Sequence, residues 1–442
     1  MTIETLKDLS SVPSDRNKLR SEDRAVHDWY RFVLSFPPHL VRDYLERLSV
    51  GPSDTVLDPF CGTGTTLVEC KKLGIASVGI ESNPMAHLAS QVKVDWSVDA
   101  STLLEYAEEV AVSTQEILDR DGSGEWTDLP LLTANGNAQP QLRRLGPEQS
   151  RLLLKDSISP IPLHKSLVIL GEIERHGDTN LRQYGRLALA KALAHRIGNL
   201  KFGPEVGLGR IKDDVPVVDA WLEGVREIVH DVGFLSDQSH APAQVLKADS
   251  REAGRVLEPN SVDAVITSPP YPNEKDYTRT TRLESVILGL IRDRSELRSL
   301  KQELIRSNTR GVYKSDTDDR KVAQHPVIQE IAEAIECRRI ELGKTSGFER
   351  LYPRVTKLYF GGMARHLASL RPALRPGAKL AYVVGDQASY LRVMIRTGQI
   401  LADLAESLGY QVIDIDLFRT RPSTVTGEQL REEIVLLEWR GD

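Results

Sequence analysis

Thr55-Val56-Leu57-Asp58-Pro59-Phe60-Cys61-Gly62-Thr63-Gly64-Thr65-Thr66, continued by Leu67-Val68-Glu69-Cys70-Lys71-Lys72-Leu73, reads as an apolar strand, a glycine turn and an amphipathic helix. Glycines at 62 and 64 let the backbone turn tightly and approach a ligand closely. Leu67 stands where a dinucleotide fingerprint has its third glycine, so the pattern is the first half of that fingerprint only. Ala76-Ser77-Val78-Gly79-Ile80-Glu81 follows as a second short strand. It ends in a carboxylate about twenty residues past the glycines, where nucleotide-binding folds hold ribose hydroxyls. Strand, turn, helix and strand-end acid agree on a doubly wound α/β architecture.

A second loop lies far downstream. Val265-Ile266-Thr267-Ser268-Pro269-Pro270-Tyr271 sets a hydroxyl, two prolines and an aromatic ring directly after an apolar run. The prolines fix φ, remove two N–H donors and keep out a helix, leaving local carbonyls as acceptors. Ser268 adds an oxygen, and Tyr271 offers a stacking face to a base taken out of its helix. Taken alone, a strand with a proline turn has the same appearance.

With both loops in view, the chain resembles the amino-methyltransferases, S-adenosylmethionine-dependent enzymes that methylate exocyclic amines of cytosine or adenine in DNA. Asp58 to Thr65 resembles their cofactor loop and Thr267 to Tyr271 their catalytic loop. Ser at the head of the catalytic tetrapeptide is typical of cytosine-N4 members and Asp is commoner in adenine-N6 members, so the resemblance favours cytosine. It covers roughly residues 27 to 95 and 244 to 440.

The resemblance implies a Rossmann-like methyltransferase sheet with S-adenosylmethionine held by Asp58, Phe60, Gly62, Gly64, Thr65 and Glu81. Phe36-Pro37-Pro38-His39 opens a proline-started helix that in such enzymes closes over the methionine end of the cofactor; an ordinary helix covering the sheet reads the same way. Asp249, with Ser250 beside it, ends another short strand and matches the acid that accepts from the cofactor's adenine amine, or is a solvated strand-end acid. Lys379 to Asp386 is a late strand whose Gly385-Asp386 end shapes the target-base pocket in similar proteins.

The implied chemistry needs acceptors. An aromatic amine is a poor nucleophile because its lone pair is delocalised, and hydrogen bonds to its two N–H groups localise that pair. The Ser268 hydroxyl and the Pro269 carbonyl are the expected acceptors, with Pro270 stiffening the loop and Tyr271 stacking on the base. Neither a metal nor a covalent enzyme intermediate is required. Carbon-5 methylation would call for a Pro-Cys nucleophile, and the sequence has no Pro-Cys dipeptide. Cys61 reads as packing inside the turn.

Composition sets bounds. The chain has 442 residues, net charge −6 and three widely spaced cysteines, which allows two or three domains and argues against a zinc pair or disulfide framework. A reducing, cytoplasmic location is expected, without signal peptide or membrane-spanning run. The acidic balance weighs mildly against nonspecific nucleic-acid binding, although a cleft can be basic when the whole is not.

The two loops are roughly two hundred residues apart, more than adjacent βα units need, so something is inserted. The expected order is an arm (1–26), the cofactor half (27–100), a mainly helical insertion (101–243), the catalytic-loop part (244–292), a charged accessory region (293–354) and the end of the core (355–442). Trp29, Phe32 and Phe36 begin the packed region, and 119–145 is turn-rich around Pro130, Gly136 and Pro140. One apolar face at Leu181, Tyr184, Leu187, Leu193 and Ile197, and another at Trp221, Val225 and Val229, give the insertion its helices.

Several segments are candidates for double-stranded DNA. The glycine-rich stretch 201–212 carries Lys201, Arg210 and Lys212 and reads as a phosphate-contacting loop or a plain connection between helices. Basic residues Arg298, Lys301, Arg306, Arg310, Lys314, Arg320 and Lys321 mark 293–354 as a DNA groove or a solvated helix face. Between them, Asp276 and Tyr277 are candidates for the base pocket and Arg279 and Arg282 for phosphates, before a helix expected through Val286, Ile287, Leu290 and Ile291. The resulting expectation is a cytosine-N4 DNA methyltransferase, with a restriction endonuclease as a possible companion. Adenine-N6 methylation, RNA guanine-N2 methylation and a non-catalytic DNA-binding module are the alternatives.

Overall fold

The computed structural model describes residues 18–31, 35–125, 141–203, 206–235, 241–273, 275–422 and 429–441. Residues 1–17 of the expected arm, Phe32, the turn residues Pro130, Gly136 and Pro140, the pair Pro204-Glu205, and Glu274 lie outside the described residues.

A seven-stranded sheet organises the chain. Its strands are β1 (Thr55–Asp58), β2 (Ala76–Ile80), β5 (Ala243–Leu246), β6 (Val262–Thr267), β7 (Leu374–Gly385), β8 (Gln411–Pro422) and β9 (Gln429–Trp439), in the order β5-β2-β1-β6-β7-β9-β8. The first five neighbours pair in parallel, and β9 runs antiparallel to both β7 and β8. Successive side chains alternate between faces, as the pleat requires. Val56, Ala264, Ile266, Ala381 and Val383 join Leu40, Val41 and Tyr44 of the helix Pro38–Arg47 in one apolar cluster. Leu57, Val265, Leu380, Tyr382 and Val384 join Tyr359, Phe360 and Met363 of Tyr352–Leu370 and Leu401 of Thr397–Ser407 in another. Both faces are covered, which makes this a doubly wound α/β fold.

Between β2 and β5 the chain leaves the sheet through the helices Pro84–Lys93, Ala100–Arg120, Pro160–Arg175, Thr179–Ala192 and Val217–Leu235. Their apolar faces share one cluster with Leu67 and Val68 of the helix Thr65–Lys72. Leu193 and Ile197 continue the Tyr184 face on a π-helical turn. The glycine-rich stretch near 201–212 is neither loop nor helix link but a small antiparallel hairpin, β3 (Leu200–Phe202) and β4 (Val206–Leu208). Lys212 donates to the carbonyls of Arg196 (2.7 Å) and Gly198 (2.8 Å), so it closes the hairpin's base rather than facing outward for phosphate.

Two more expectations change. Asp23, Val26 and His27 are already buried, with the Val26 N–H on Asp231 Oδ2 at 2.9 Å, so packing begins before residue 26. The helix expected through Ile291 stops at Ile287. Gly289 takes φ +71°, and the Leu290 N–H bonds back to the Ser285 carbonyl at 2.8 Å, a Schellman-type stop that leaves Ile291 outside.

Candidate active site

The order of strands reverses between β1 and β6, and the C-terminal ends of those strands face one cavity of about 720 Å³. A switch point of this kind is where open α/β sheets bind ligands. Phe36, Phe60, Gly62, Thr65, Glu81 and Ser250 line the cavity, and so do Ser268, Pro269, Pro270, Tyr271, Asp276 and Tyr277. The two loops read from sequence therefore share one space.

Asp58 does not line that space. It is fully buried, accepting from Thr66 Oγ1 (2.7 Å), Thr267 Oγ1 (2.6 Å) and the Phe60 N–H (3.1 Å). Burial lifts its pKa to about 6 against the pull of these bonds. Its carboxylate ties the glycine turn, the following helix and the catalytic loop together. Gly64 sits at φ +84°, where a Cβ would lie 3.0 Å from Ser90 Cβ, so the turn depends on glycine there.

Glu81 ends at the cavity wall with Oε2 on the Gly62 N–H (2.9 Å) and Oε1 on the Asn83 N–H (2.7 Å). The carboxylate still has acceptor capacity left for a ligand hydroxyl. Burial raises its pKa to about 7. Ser82 Oγ reaches across to the Ala248 carbonyl at 2.6 Å, holding the ends of β2 and β5 in place. A space of this size, bounded by a half-buried carboxylate, a glycine turn and the Phe60 ring, fits a nucleoside cofactor.

Other expected cofactor residues stand apart from the cavity. Pro38 and His39 are buried at the start of their helix, and the wall is formed by Ser35, Phe36 and Pro37 just before it. Asp249 is not among the lining residues. Its carboxylate is gripped by Arg251 (Nη2–Oδ2 2.6 Å) and caps the Arg251 N–H at 2.9 Å, because Arg251 needs a counter-charge where it also meets Asp318 at 2.7 Å. The acid thereby links the sheet to the accessory region, next to the lining residues Ala248 and Ser250. Asp386 is likewise withdrawn, buried against Arg396.

At the catalytic end, Ser268 Oγ donates to the Val383 carbonyl at 3.3 Å. The Tyr271 N–H meets Tyr277 Oη at 3.4 Å, and a Cβ on Gly385 would lie 3.1 Å from Tyr271 Cε2. Gly385 thus lets the tyrosine ring lie against β7. Burial, with Glu432 nearby, pushes the Tyr271 phenol well up, so it stays protonated. Asp276 accepts from Lys301 Nζ (2.7 Å) and the Thr278 hydroxyl (2.6 Å).

A second cleft, about 300 Å³, shares Asp276 and Lys301 with the first and is lined by Arg279, Arg282 and Arg310 over Leu152, Leu200 and Val206. Arg282 is held by the Thr278 hydroxyl at 2.6 Å. Lys201 and Arg210 are exposed on or beside the hairpin and line neither cavity.

Sequence reasoning missed His366, whose ring bridges the Ser250 carbonyl (2.9 Å) and Tyr382 Oη (2.8 Å) and lies edge-on to Phe60 at 4.9 Å. Burial lowers its pKa to about 4, keeping it neutral. It also missed Lys275, Arg419, Arg421 and Glu432 on the cavity wall. No local motif marks them; they arrive from the loop after Tyr271 and from the β8–β9 pair.

The fold and its cavity suit a methyltransferase, and the sequence similarities that follow imply S-adenosylmethionine as the methyl donor. Residues 8–91 match the family described as DNA methylase. The chain is 26% identical to the Type II methyltransferase M.BsoBI of Geobacillus stearothermophilus over 432 residues, covering 91% of this chain and 82% of the relative. It is 23% identical to the Type II methyltransferase M.AvaI of Nostoc sp. over 413 residues, covering 89% and 80%. TrmN from Thermus thermophilus aligns with 94% of this chain and about half (52%) of its own, at 12% identity and a TM-score of 0.29. The chain is thus similar over most of its length to Type II methyltransferases, and over residues 8–91 to the DNA methylase family. Among the described residues no helix is long and apolar enough to cross a membrane.

Proposed function

We propose that this enzyme methylates the exocyclic N4 of a cytosine flipped out of duplex DNA. One observation carries the reading. Ser268 Oγ stands on the cavity wall between the Val383 carbonyl (3.3 Å) and the Tyr271 phenol, and with its proton turned to that carbonyl the oxygen presents lone pairs to the cavity as an acceptor. A neutral acceptor at this position takes one N–H of a target amine. The Pro269 carbonyl takes the other, and the amine lone pair is localised for attack. Bound in the same cavity, S-adenosylmethionine supplies an electrophilic methyl group. Glu81 holds its ribose hydroxyls, while Phe36 and Phe60 exclude water around it. Tyr271 stacks on the base, and the proton lost from nitrogen passes to solvent.

The second cleft receives the DNA strand next to the flipped nucleotide. Arg279, Arg282 and Arg310 face one carboxylate, Asp276, so the cleft is basic although the chain is acidic overall. The Type II names of the relatives support modification of a defined duplex site in partnership with a restriction endonuclease.

Incubation with labelled cofactor and mixed-sequence duplex DNA, followed by nucleoside digestion, tests the assignment. N4-methyldeoxycytidine is expected. Label confined to N6-methyladenine, or to RNA, overturns the cytosine reading.

A further inference from the structure

Five cations line the main cavity: Lys275, Lys301, Arg306, Arg419 and Arg421. Four have carboxylate partners. Lys301 pairs with Asp276 (2.7 Å), Arg306 with Asp316 (2.8 Å), and Arg419 (2.5 Å) and Arg421 (3.6 Å) share Glu432. Among the described residues, nothing pairs with the Nζ of Lys275, although its backbone is firmly held. Its carbonyl accepts from Ser307 Oγ (3.2 Å) and Asn308 Nδ2 (3.0 Å), and its N–H donates to Asn273 Oδ1 (3.2 Å). A fixed backbone with an uncommitted ammonium in a half-buried wall is the arrangement expected of a group whose partner is a ligand.

The surroundings say which part of the ligand. Glu432, one of the charged groups facing Lys275, also packs beside Gly385 together with the Tyr271 ring. Lys275 therefore belongs to the catalytic end of the cavity. Once Ser268 and Pro269 have taken the amine hydrogens, the cytosine edge still presents two acceptors, N3 and O2. These require donors. Two other side-chain amides on this wall are engaged, Gln387 Nε2 with the Gly385 carbonyl at 3.4 Å and Asn308 Nδ2 as above, and Asn273 carries no charge to strengthen a bond to the base.

We propose that Lys275 is a specificity-determining residue, donating from Nζ to the N3 or O2 acceptor of the flipped cytosine and so fixing the base with its amine toward Ser268. This rests on the cytosine-N4 reading. Burial and the neighbouring Arg421 pull the ammonium below the ordinary lysine range, with Glu432 opposing, which suits a donor to a neutral base. A phosphate contact, the rival role, would act equally on every DNA sequence.

The test compares wild type with Lys275→Met and Lys275→Arg on duplexes carrying cytosine, 3-deazacytosine or an analogue lacking O2 at the target. Lys275→Met is expected to lose about 10- to 100-fold in kcat/KM on cytosine, the scale of a charge-assisted hydrogen bond. On the analogue without the contacted acceptor it should match wild type within about threefold. Lys275→Arg should recover part of the loss, while S-adenosylmethionine affinity and the salt dependence of DNA binding stay unchanged. Equal losses on all three duplexes, or a salt slope reduced by about one, would overturn the proposal in favour of a structural or phosphate role. Should wild type methylate adenine, the cytosine reading fails by itself. Lys275 is then judged by the same comparison on adenine and 1-deazaadenine, where absence of coupling overturns it.

Discussion

Thr267 donates from its Oγ1 to Asp58 Oδ1 at 2.6 Å, joining the last residue of β6 to the last residue of β1. The catalytic loop and the cofactor loop thus hang from one buried carboxylate, with the Phe60 N–H sharing Oδ1 with Thr267 and Thr66 on Oδ2. Thr267→Val keeps shape and β-branching but deletes that donor. It should cost about 1.5–3 kcal/mol of stability, the range for a hydrogen bond to a charged group. The pKa of Asp58, already about 6, should rise further. Urea unfolding and calorimetric titration with S-adenosylmethionine should show stability and cofactor affinity falling together; a loss confined to turnover would contradict the link.

Glu81 sets an expected pH dependence. Ribose hydroxyls bind its ionised form better, and burial holds its folded pKa at about 7. Cofactor affinity should therefore rise with pH, level off above about 7 and fall below it by about tenfold per unit. Glu81→Gln should bind weakly and flatten that dependence. In the free enzyme the sign is opposite for stability. A carboxylate with a raised folded pKa contributes stability that is full below the ordinary value of 4.5 and lost as pH climbs through about 7. Calorimetry across pH 5–8 checks both signs.

Gly64→Ala places a Cβ 3.0 Å from Ser90 Cβ at φ +84°. Contact and backbone strain both oppose it, and a loss of about 1–3 kcal/mol is expected. Ser90→Gly in the same chain should restore only the contact part, leaving the strain, as thermal denaturation of the single and double variants would show.

Gly385→Ala and Tyr271→Ala act on the base rather than the cofactor. The first pushes a methyl to 3.1 Å from Tyr271 Cε2, and the second removes the ring. Base–aromatic stacking is worth about 1–3 kcal/mol, so methyl transfer should fall by roughly five- to 150-fold while S-adenosylmethionine still binds. Unchanged turnover in Tyr271→Ala would remove the stacking role.

Arg279→Ala and Arg310→Ala should weaken binding to all duplex sequences alike. Each lowers the slope of log K against log salt by about one if it meets a phosphate. Fluorescence titrations at three salt concentrations suffice.

The sheet was legible because alternation at Leu57, Val265 and Leu380 and the glycine turn are local signals, written in contiguous residues. Gly62, Thr65, Glu81 and Ser268 to Tyr271 could be seen to converge because each sits at the end of a strand. Asp249 and Asp386 occupy strand ends too, yet their carboxylates turn to Arg251 and Arg396, and no spacing rule reveals a distant counter-charge. His366 was illegible for the same reason: its partners Ser250 and Tyr382 meet it only after the helix Tyr352–Leu370 docks on the sheet. The early stop at Ile287 was in the sequence as Gly289, but apolar periodicity on both sides of it was the louder signal.

The bond from Ser82 to Ala248, which closes the cofactor wall, spans 166 positions of chain. During synthesis the glycine turn therefore leaves the ribosome long before its neighbour β5 exists, and the helical insertion must emerge in between. A nascent chain cannot capture its cofactor early as a folding aid. Competence for methyl transfer therefore waits until β5 has paired with β2 and β6 with β1.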